Sequence, residues 1–238
     1  MFEVPAMSAP VQTKPGLTGN QLKIIAMIAM TCDHVGLQLF PQLIWLRWIG
    51  RLALPVYAYM IAEGCRHTRS RKKYLLRLAS MAALCQIVYF FAMNSLYQCI
   101  LVTFSLSVSI ICIVDGLNRL EGARRLFVGP LASIAVAAGS CFVCFILPLL
   151  VEGFAIDYGI WGVMLPVMLY YGKKKWVWLT AGLVLLAFAY GGDQWLALAA
   201  VPLLQCYNGQ RGAANIGRLF YWYYPLHLVV IYGISLIL

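Results

Sequence analysis

Nine long apolar runs, separated by short charged or Gly/Asn-rich connectors, fill this 238-residue chain at 22–40, 46–64, 74–93, 97–117, 126–151, 156–172, 176–192, 194–207 and 219–238. Repeated runs of this kind call for a solvent as apolar as their side chains, and a bilayer core takes about 20 residues of helix. Lipid offers backbone N–H and C=O groups no partners, so each run reads as a helix that satisfies its own backbone. Composition agrees, with 63% hydrophobic and 11% charged residues, against roughly 45–50% and about 25% in soluble chains. Disorder, collagen and a disulfide miniprotein are excluded. The expected fold class is all-α, a polytopic integral membrane bundle of about nine transmembrane helices, with a range of about eight to ten. Residues 1–20 read as a polar tail bearing Pro5, Pro10 and Pro15, and 21–238 as a single transmembrane domain.

Charge sets the expected orientation. With the N-terminus in the cytoplasm, sixteen of the 18 Lys and Arg residues fall on the inner side and only Arg47 and Arg51 on the outer, the bias of positive-inside loops. The same bias accounts for the net charge of +10, so nucleic acid is not expected as a partner. No cleavable signal is visible in the polar N-terminal stretch, which lacks an apolar h-region. The eight cysteines lie mostly inside apolar runs, where a thiol behaves as a small hydrophobe. Cys141-x-x-Cys144 has redox spacing but no soluble redox fold around it. No metal is expected.

An ionisable residue at membrane depth costs at least about 2.5–3.5 kcal/mol on insertion scales, which makes each one a functional candidate. Asp33 and His34 follow eleven largely apolar residues, and at 1.5 Å per residue they sit roughly halfway or more across the hydrocarbon. Lys23 and His34 are eleven apart, three helical turns, so they share a face with Met27 and Met30 between them. Asp33 points about 100° away and needs a partner on another helix, for which Arg51 is the candidate. His227 is a second imidazole at depth, beside Pro225 and one turn beyond Tyr223 and Tyr224. It can line a cavity or serve as polar glue between helices.

Nearer the surfaces, Glu63 has Arg66 and His67 at i+3 and i+4, the spacing of an interfacial ion pair. Asp157-Tyr158-Gly159 opens a short helix, where an acid complements the positive end of the helix dipole and can also face an incoming cation. The stretch 66–77, with Arg66, Arg69, Arg71, Lys72, Lys73 and Arg77, is the densest basic patch. It fits a topology signal or anionic lipid, and also the phosphates of a nucleotide-containing cofactor.

The segments LKIIAMIAMTCDHVG (22–36) and IGRLALPVYAYMIAEGCRHTRSRKKYLLRLAS (49–80) resemble the opening of the TraX family, membrane proteins named for the conjugal-transfer enzyme that acetylates pilin. DYGIWGV (157–163), CYNGQRG (206–212) and FYWYYPLHLVVI (220–231) resemble its remaining signatures in order, so the likeness covers about residues 17–238. A more distant resemblance is to acyltransferase family 3, whose first helix carries a basic residue, ten intervening positions and a histidine. Lys23 stands here where arginine is usual, keeping the charge but losing the planar fork.

The resemblance implies an acetyltransferase of the bacterial plasma (inner) membrane, multi-pass, that takes acetyl-CoA from the cytoplasm. Its acceptor is an amine or hydroxyl, on a pilin N-terminus, glycan or small molecule, reached within or across the membrane. His34 is the expected base, since neutral imidazole serves at ordinary pH and contributes typically about 10²–10⁴-fold. Asp33 tunes it if the fold brings their polar atoms together. His227, Tyr224 or Arg51 supplies the oxyanion donor. Lys23, Arg66, Arg69, Arg71, Lys72 and Arg77 hold the coenzyme, and Asp157, Tyr158 and Tyr224 meet the acceptor. Membrane lipids and a second copy of the chain are further possible partners. Two other readings compete: a permease using a buried Asp–His–Arg cluster, and a noncatalytic scaffold whose polar groups only join helices.

Overall fold

A computed structural model describes residues 15–213 and 216–237; most of the expected polar tail, residues 1–14, lies outside them. The first helix, α1 (Gly19–Gln38), starts at a capping box. The Thr18 side chain accepts from Gln21 N at 3.3 Å, and the Gln21 side chain accepts from Thr18 N at 2.8 Å, which satisfies two donors that a helix start leaves open. Two more are met from far along the chain, because the carbonyls of Gln210 and Arg211 accept from Gly19 N and Asn20 N at 2.8 and 3.0 Å. The CYNGQRG segment therefore caps the first helix.

The single helix expected over 46–64 is two, α2 (Ile44–Gly50) and α3 (Ala53–His67), with a turn at Arg51–Leu52. Glycine explains the break. A Cβ on Gly36 would lie 2.8 Å from Leu46 Cβ, and one on Gly50 would lie 2.3 Å from Asp33 Oδ1. Bare backbone at these two positions lets α2 fold flat against the last turns of α1. The chain then turns into the centre, where every residue of α3 from Ala53 to Glu63 is buried, as a helix apolar on all sides must be.

The next helices are α4 (Arg71–Met93), α5 (Ile100–Leu117) and α6 (Gly122–Cys141), the last continuing through a π-helical turn at Phe142–Ile146 into α7 (Leu147–Leu150). Two short strands, β1 (Tyr97–Gln98) and β2 (Ala155–Ile156), pair in parallel and draw two connections together. The all-helical expectation did not contain this ladder, which is too short to carry a periodic signal. After α8 (Gly159–Tyr171) and α9 (Lys175–Tyr190), Gly191 and Gly192 take positive φ and open a 3-10 helix at Gly192–Ala199. This leads into α10 (Ala200–Gln205), and α11 (Gly217–Ser235) closes the described chain.

The protein is a membrane protein. Segments 71–91, 100–117 and 126–150 are long and apolar enough to cross a bilayer on their own, whereas the remaining helices are shorter or less apolar. The nine expected runs fall mainly on helix, the fourth opening on strand β1, and among the described residues three segments meet the length and apolarity of a crossing. Leu126, Phe127 and Leu149 on the α6–α7 rod are at least 70% exposed, a surface that suits lipid and not water. The core lies between α1, α3, α5, α8 and α9, where Leu22, Ala26, Val56, Val108, Leu183 and Leu186 are fully buried.

Candidate functional site

The site is built around α1 and α11. His227 Nε2 lies 2.9 Å from His34 Nδ1, their ring centroids 4.9 Å apart. On its other side His227 Nδ1 lies 3.0 Å from the carbonyl of Tyr223, four residues back. A carbonyl only accepts, so in the neutral pair this network puts a proton on His227 Nδ1 and a lone pair on its Nε2. His34 Nδ1 must then donate to that lone pair, which leaves His34 Nε2 as the unprotonated, basic nitrogen. The aromatic pair beside His227 holds it in place. Tyr223 stacks on its ring at 5.4 Å and bonds Thr31 through its hydroxyl at 2.5 Å, while Tyr224 meets the ring edge-on at 5.2 Å.

His34 lines a cavity of about 710 Å³ whose walls come from α1, α2, the α2–α3 turn, α4, and the β1 and β2 connections, closed by the α9–3-10 junction. Asp33 is on its wall too, but its partner is Arg47 of α2, at 2.8 Å. The expected pairing with Arg51 is thereby corrected. Arg51 occupies the turn between α2 and α3 and donates instead to the Tyr158 hydroxyl at 3.3 Å. The register explains the exchange: α2 lies against α1 and carries Arg47 back alongside Asp33, one turn before Arg51.

Asp157 and Tyr158 form the opposite wall. Asp157 accepts from the Tyr97 hydroxyl at 2.6 Å, its backbone carbonyl accepts from Thr103 Oγ1 at 2.8 Å, and Tyr158 stands in the left-handed region at φ 55°. A non-glycine residue held there stores strain that the surrounding bonds must offset. Asp157 lies before α8, outside the helical segments. Burial pushes its carboxyl up to about 6, against the Tyr97 hydrogen bond; the Asp33 carboxylate raises it further and Arg51 lowers it.

Two smaller cavities of about 50 and 40 Å³ lie nearby, the first of them lined in part by His34. The first shares Asp33, His34, Asp157 and Tyr158 with the large one. The second shares Tyr57, Ile100 and Tyr224 with the first, and ends among Phe220, Tyr74 and Leu78. Lys23 Nζ lies 5.2 Å from the Phe220 ring centroid. The stripe from Lys23 through buried Met27 and Met30 to His34 therefore faces the bundle interior.

The basic stretch divides into two groups. Arg66 bonds Glu63 at 2.6 Å and the carbonyls of Leu169 and Tyr170, ending α8, while Glu63 also holds Lys175 at 2.9 Å and has His67 Nε2 at 3.4 Å. Arg71 pairs with Asp115 and bonds the Tyr170 hydroxyl at 2.6 Å. Arg69, Lys72 and Arg77 are exposed. The expected six-residue coenzyme seat thus contains two arginines committed to helix packing.

Sequence reasoning missed Arg47 as the partner of Asp33, the direct contact of the two histidines, and Tyr57, Tyr97 and Gln194 as lining residues. Tyrosines and glutamines inside apolar runs carry no distinctive spacing. Among the described residues no group of three or more His, Cys, Asp and Glu side chains is placed to hold a metal ion.

Comparison with known proteins gives a consistent result. The model of the family described as "TraX protein" matches residues 18–235. A "Probable fimbrial assembly protein FimC, serogroup H1" from Dichelobacter nodosus is 28% identical over 243 residues, covering 89% of this chain and 93% of that protein. An "Uncharacterized protein RP591" from Rickettsia prowazekii (strain Madrid E) is 55% identical over 38 residues, 16% of this chain and 15% of that one. No solved structure matches.

Proposed function

The chain belongs to the TraX family, and from that premise we propose that it is an integral-membrane acetyltransferase moving an acetyl group from cytoplasmic acetyl-CoA to an amine or hydroxyl acceptor. We place it as a multi-pass protein of the bacterial inner membrane with its N-terminus inside. The observation that carries the reading is His34, which His227 holds at 2.9 Å and which lines both the large cavity and the first of the small ones. In the proposed orientation the large cavity opens outward and receives the acceptor. The passage along Tyr57, Ile100 and Tyr224 leads inward to Phe220 and Lys23, and its apolar walls suit the slender arm of the coenzyme. Lys23, with exposed Arg69, Lys72 and Arg77, meets the phosphates; Arg66 and Arg71 hold the helices beneath them.

In this mechanism His34 Nε2 accepts the proton of the acceptor as its nitrogen or oxygen attacks the thioester carbonyl. His227 is a positioning residue: its Nε2 fixes the His34 tautomer, so neither of its nitrogens is free to donate to an oxyanion. The Tyr224 hydroxyl, on the passage side, donates to the tetrahedral oxyanion. Collapse breaks the carbon–sulfur bond, and the proton on His34 passes to the departing thiolate. Asp33, neutralised by Arg47, sets the field of the cavity without touching the ring of His34. The relative named for fimbrial assembly makes a pilin N-terminus one acceptor to try; a glycan or a small molecule are others.

The test is thiol release from acetyl-CoA by the purified full chain in lipid nanodiscs, with mass spectrometry of cell-envelope proteins and glycans from cells with and without it. The reading requires an acetyl mark that depends on the chain and disappears in His34→Ala. Full transfer by that folded variant removes His34 from the mechanism.

A further inference from the structure

We propose that Thr31 is a positioning residue of this site, which acts through Tyr223 to hold the His227 ring at the angle that keeps His34 Nε2 basic; this rests on the acetyltransferase reading above. Four side chains close a ring between α1 and α11. Thr31 and His34 stand three residues apart on α1, and Tyr223 and His227 four apart on α11, so each pair shares one face of its helix. Thr31 Oγ1 meets the Tyr223 hydroxyl at 2.5 Å, and the Tyr223 ring lies within 6° of parallel to that of His227. His227 Nε2 then returns to His34 Nδ1 at 2.9 Å.

The direction of the first bond follows from the count of protons. A hydroxyl has one to give, and Thr31 gives its own to the carbonyl of Met27 at 2.9 Å. The Tyr223 hydroxyl therefore donates to Thr31 Oγ1. That bond fixes the far end of the phenol ring, and its consequence falls on His227. Turning the imidazole over about its Cβ–Cγ bond would put carbon where Nδ1 and Nε2 now stand, and the bonds to the Tyr223 carbonyl and to His34 would both be lost. The flat contact with Tyr223, centroids 5.4 Å apart, is an offset stack, and the imidazole cannot leave its plane without displacing the phenol. Attachment of the two helices does not depend on this bond. They also meet where Lys23 Nζ lies 5.2 Å from the Phe220 ring centroid, so removing the Thr31 hydroxyl frees the ring angle and leaves the helix pair in place.

The experiment compares the full chain in nanodiscs with Thr31→Val, which removes the hydroxyl, Thr31→Ser, which keeps it, and Tyr223→Phe, which removes its partner. Nitrogen-15 NMR of the three histidines reads which ring nitrogen carries the proton, with His34→Ala and His227→Ala assigning the signals. The parent should show Nδ1 protonated on both His34 and His227. Thr31→Val and Tyr223→Phe should each spread the His34 proton over both nitrogens, and Thr31→Ser should return the parent pattern. In the same two variants kcat should fall about 3–10-fold, and no further when they are combined. The KM for acetyl-CoA and the thermal midpoint should stay close to the parent's. Should Thr31→Val fail to fold, Tyr223→Phe carries the same test. A parent-like tautomer pattern in the folded variants overturns the proposal, as does a lowered thermal midpoint with kcat retained. Absence of transfer by the parent counts against the acetyltransferase reading instead, and the NMR pattern, which needs no acetyl donor, still decides whether Thr31 positions the histidines.

Discussion

His227 Nε2 and His34 Nδ1 meet at 2.9 Å across 193 residues of chain, and this contact makes one histidine the orienter of the other. His34→Ala should lower acetyl transfer by about 10²–10⁴-fold. His227→Ala should lower kcat by about 10²-fold, near the bottom of that range, and leave the KM for acetyl-CoA nearly unchanged, because it frees the His34 tautomer without touching substrate. Steady-state kinetics of both variants in nanodiscs check the split.

Arg47→Met leaves the Asp33 carboxylate without its partner. Breaking a buried pair by removing one member costs about 3–5 kcal/mol, and the partial exposure of both side chains, 25% and 20%, reduces this to about 1–3 kcal/mol. The expected outcome is a lower thermal midpoint in detergent. Arg51→Met, which breaks no ion pair, should lower that midpoint less.

Gly50→Ala puts a methyl group 2.3 Å from Asp33 Oδ1. Backbone cannot yield that far without moving α2 off α1, so about 1–3 kcal/mol of stability should be lost. Gly139→Ala, on the open face of α6 with nothing within 4 Å of its added Cβ, should be neutral or slightly stabilising in the same thermal assay.

Asp157 titrates near 6 in the folded protein against about 3.9 when unfolded. Between roughly pH 4 and 6 the native state holds a proton that the unfolded state has lost, so stability from this group falls as pH rises through that window and is fully present below it. Asp157→Asn keeps an acceptor for the Tyr97 hydroxyl and removes the titration. Its thermal midpoint should match the parent at pH 4 and exceed it at pH 7.

Within the basic stretch, Arg69→Ala and Arg77→Ala should raise the KM for acetyl-CoA without changing the thermal midpoint. Arg71→Ala should lower the midpoint first, since its guanidinium joins Asp115 and Tyr170. Equal effects on KM and midpoint at all three positions would contradict this division of roles.

Much of the candidate site stood out in the sequence because ionisable groups inside apolar runs are conspicuous. Asp33, His34 and His227 stand out from apolar neighbours by cost alone, and the eleven-residue spacing to Lys23 fixes a shared face. Glu63 and Arg66 follow from one helical turn, a relationship internal to a single element. Gln194, Tyr57 and Tyr97 gave no such signal, since an amide or phenol in an apolar run is cheap enough to sit anywhere. The break between α2 and α3 was hidden because its cause is the close approach of Gly36 and Gly50 to another helix.

The sequence alone determined the helical membrane class and the family, and it singled out a few side chains as candidates for chemistry, because a polar atom inside an apolar run is costly enough to stand out. Tertiary packing decided who meets whom: Arg47 rather than Arg51 beside Asp33, His227 on His34, and Arg66 and Arg71 turned to helix packing. Such pairings depend on how helices lie against one another, and a periodicity of 3.6 residues fixes the face a side chain occupies but not the neighbour that face will find.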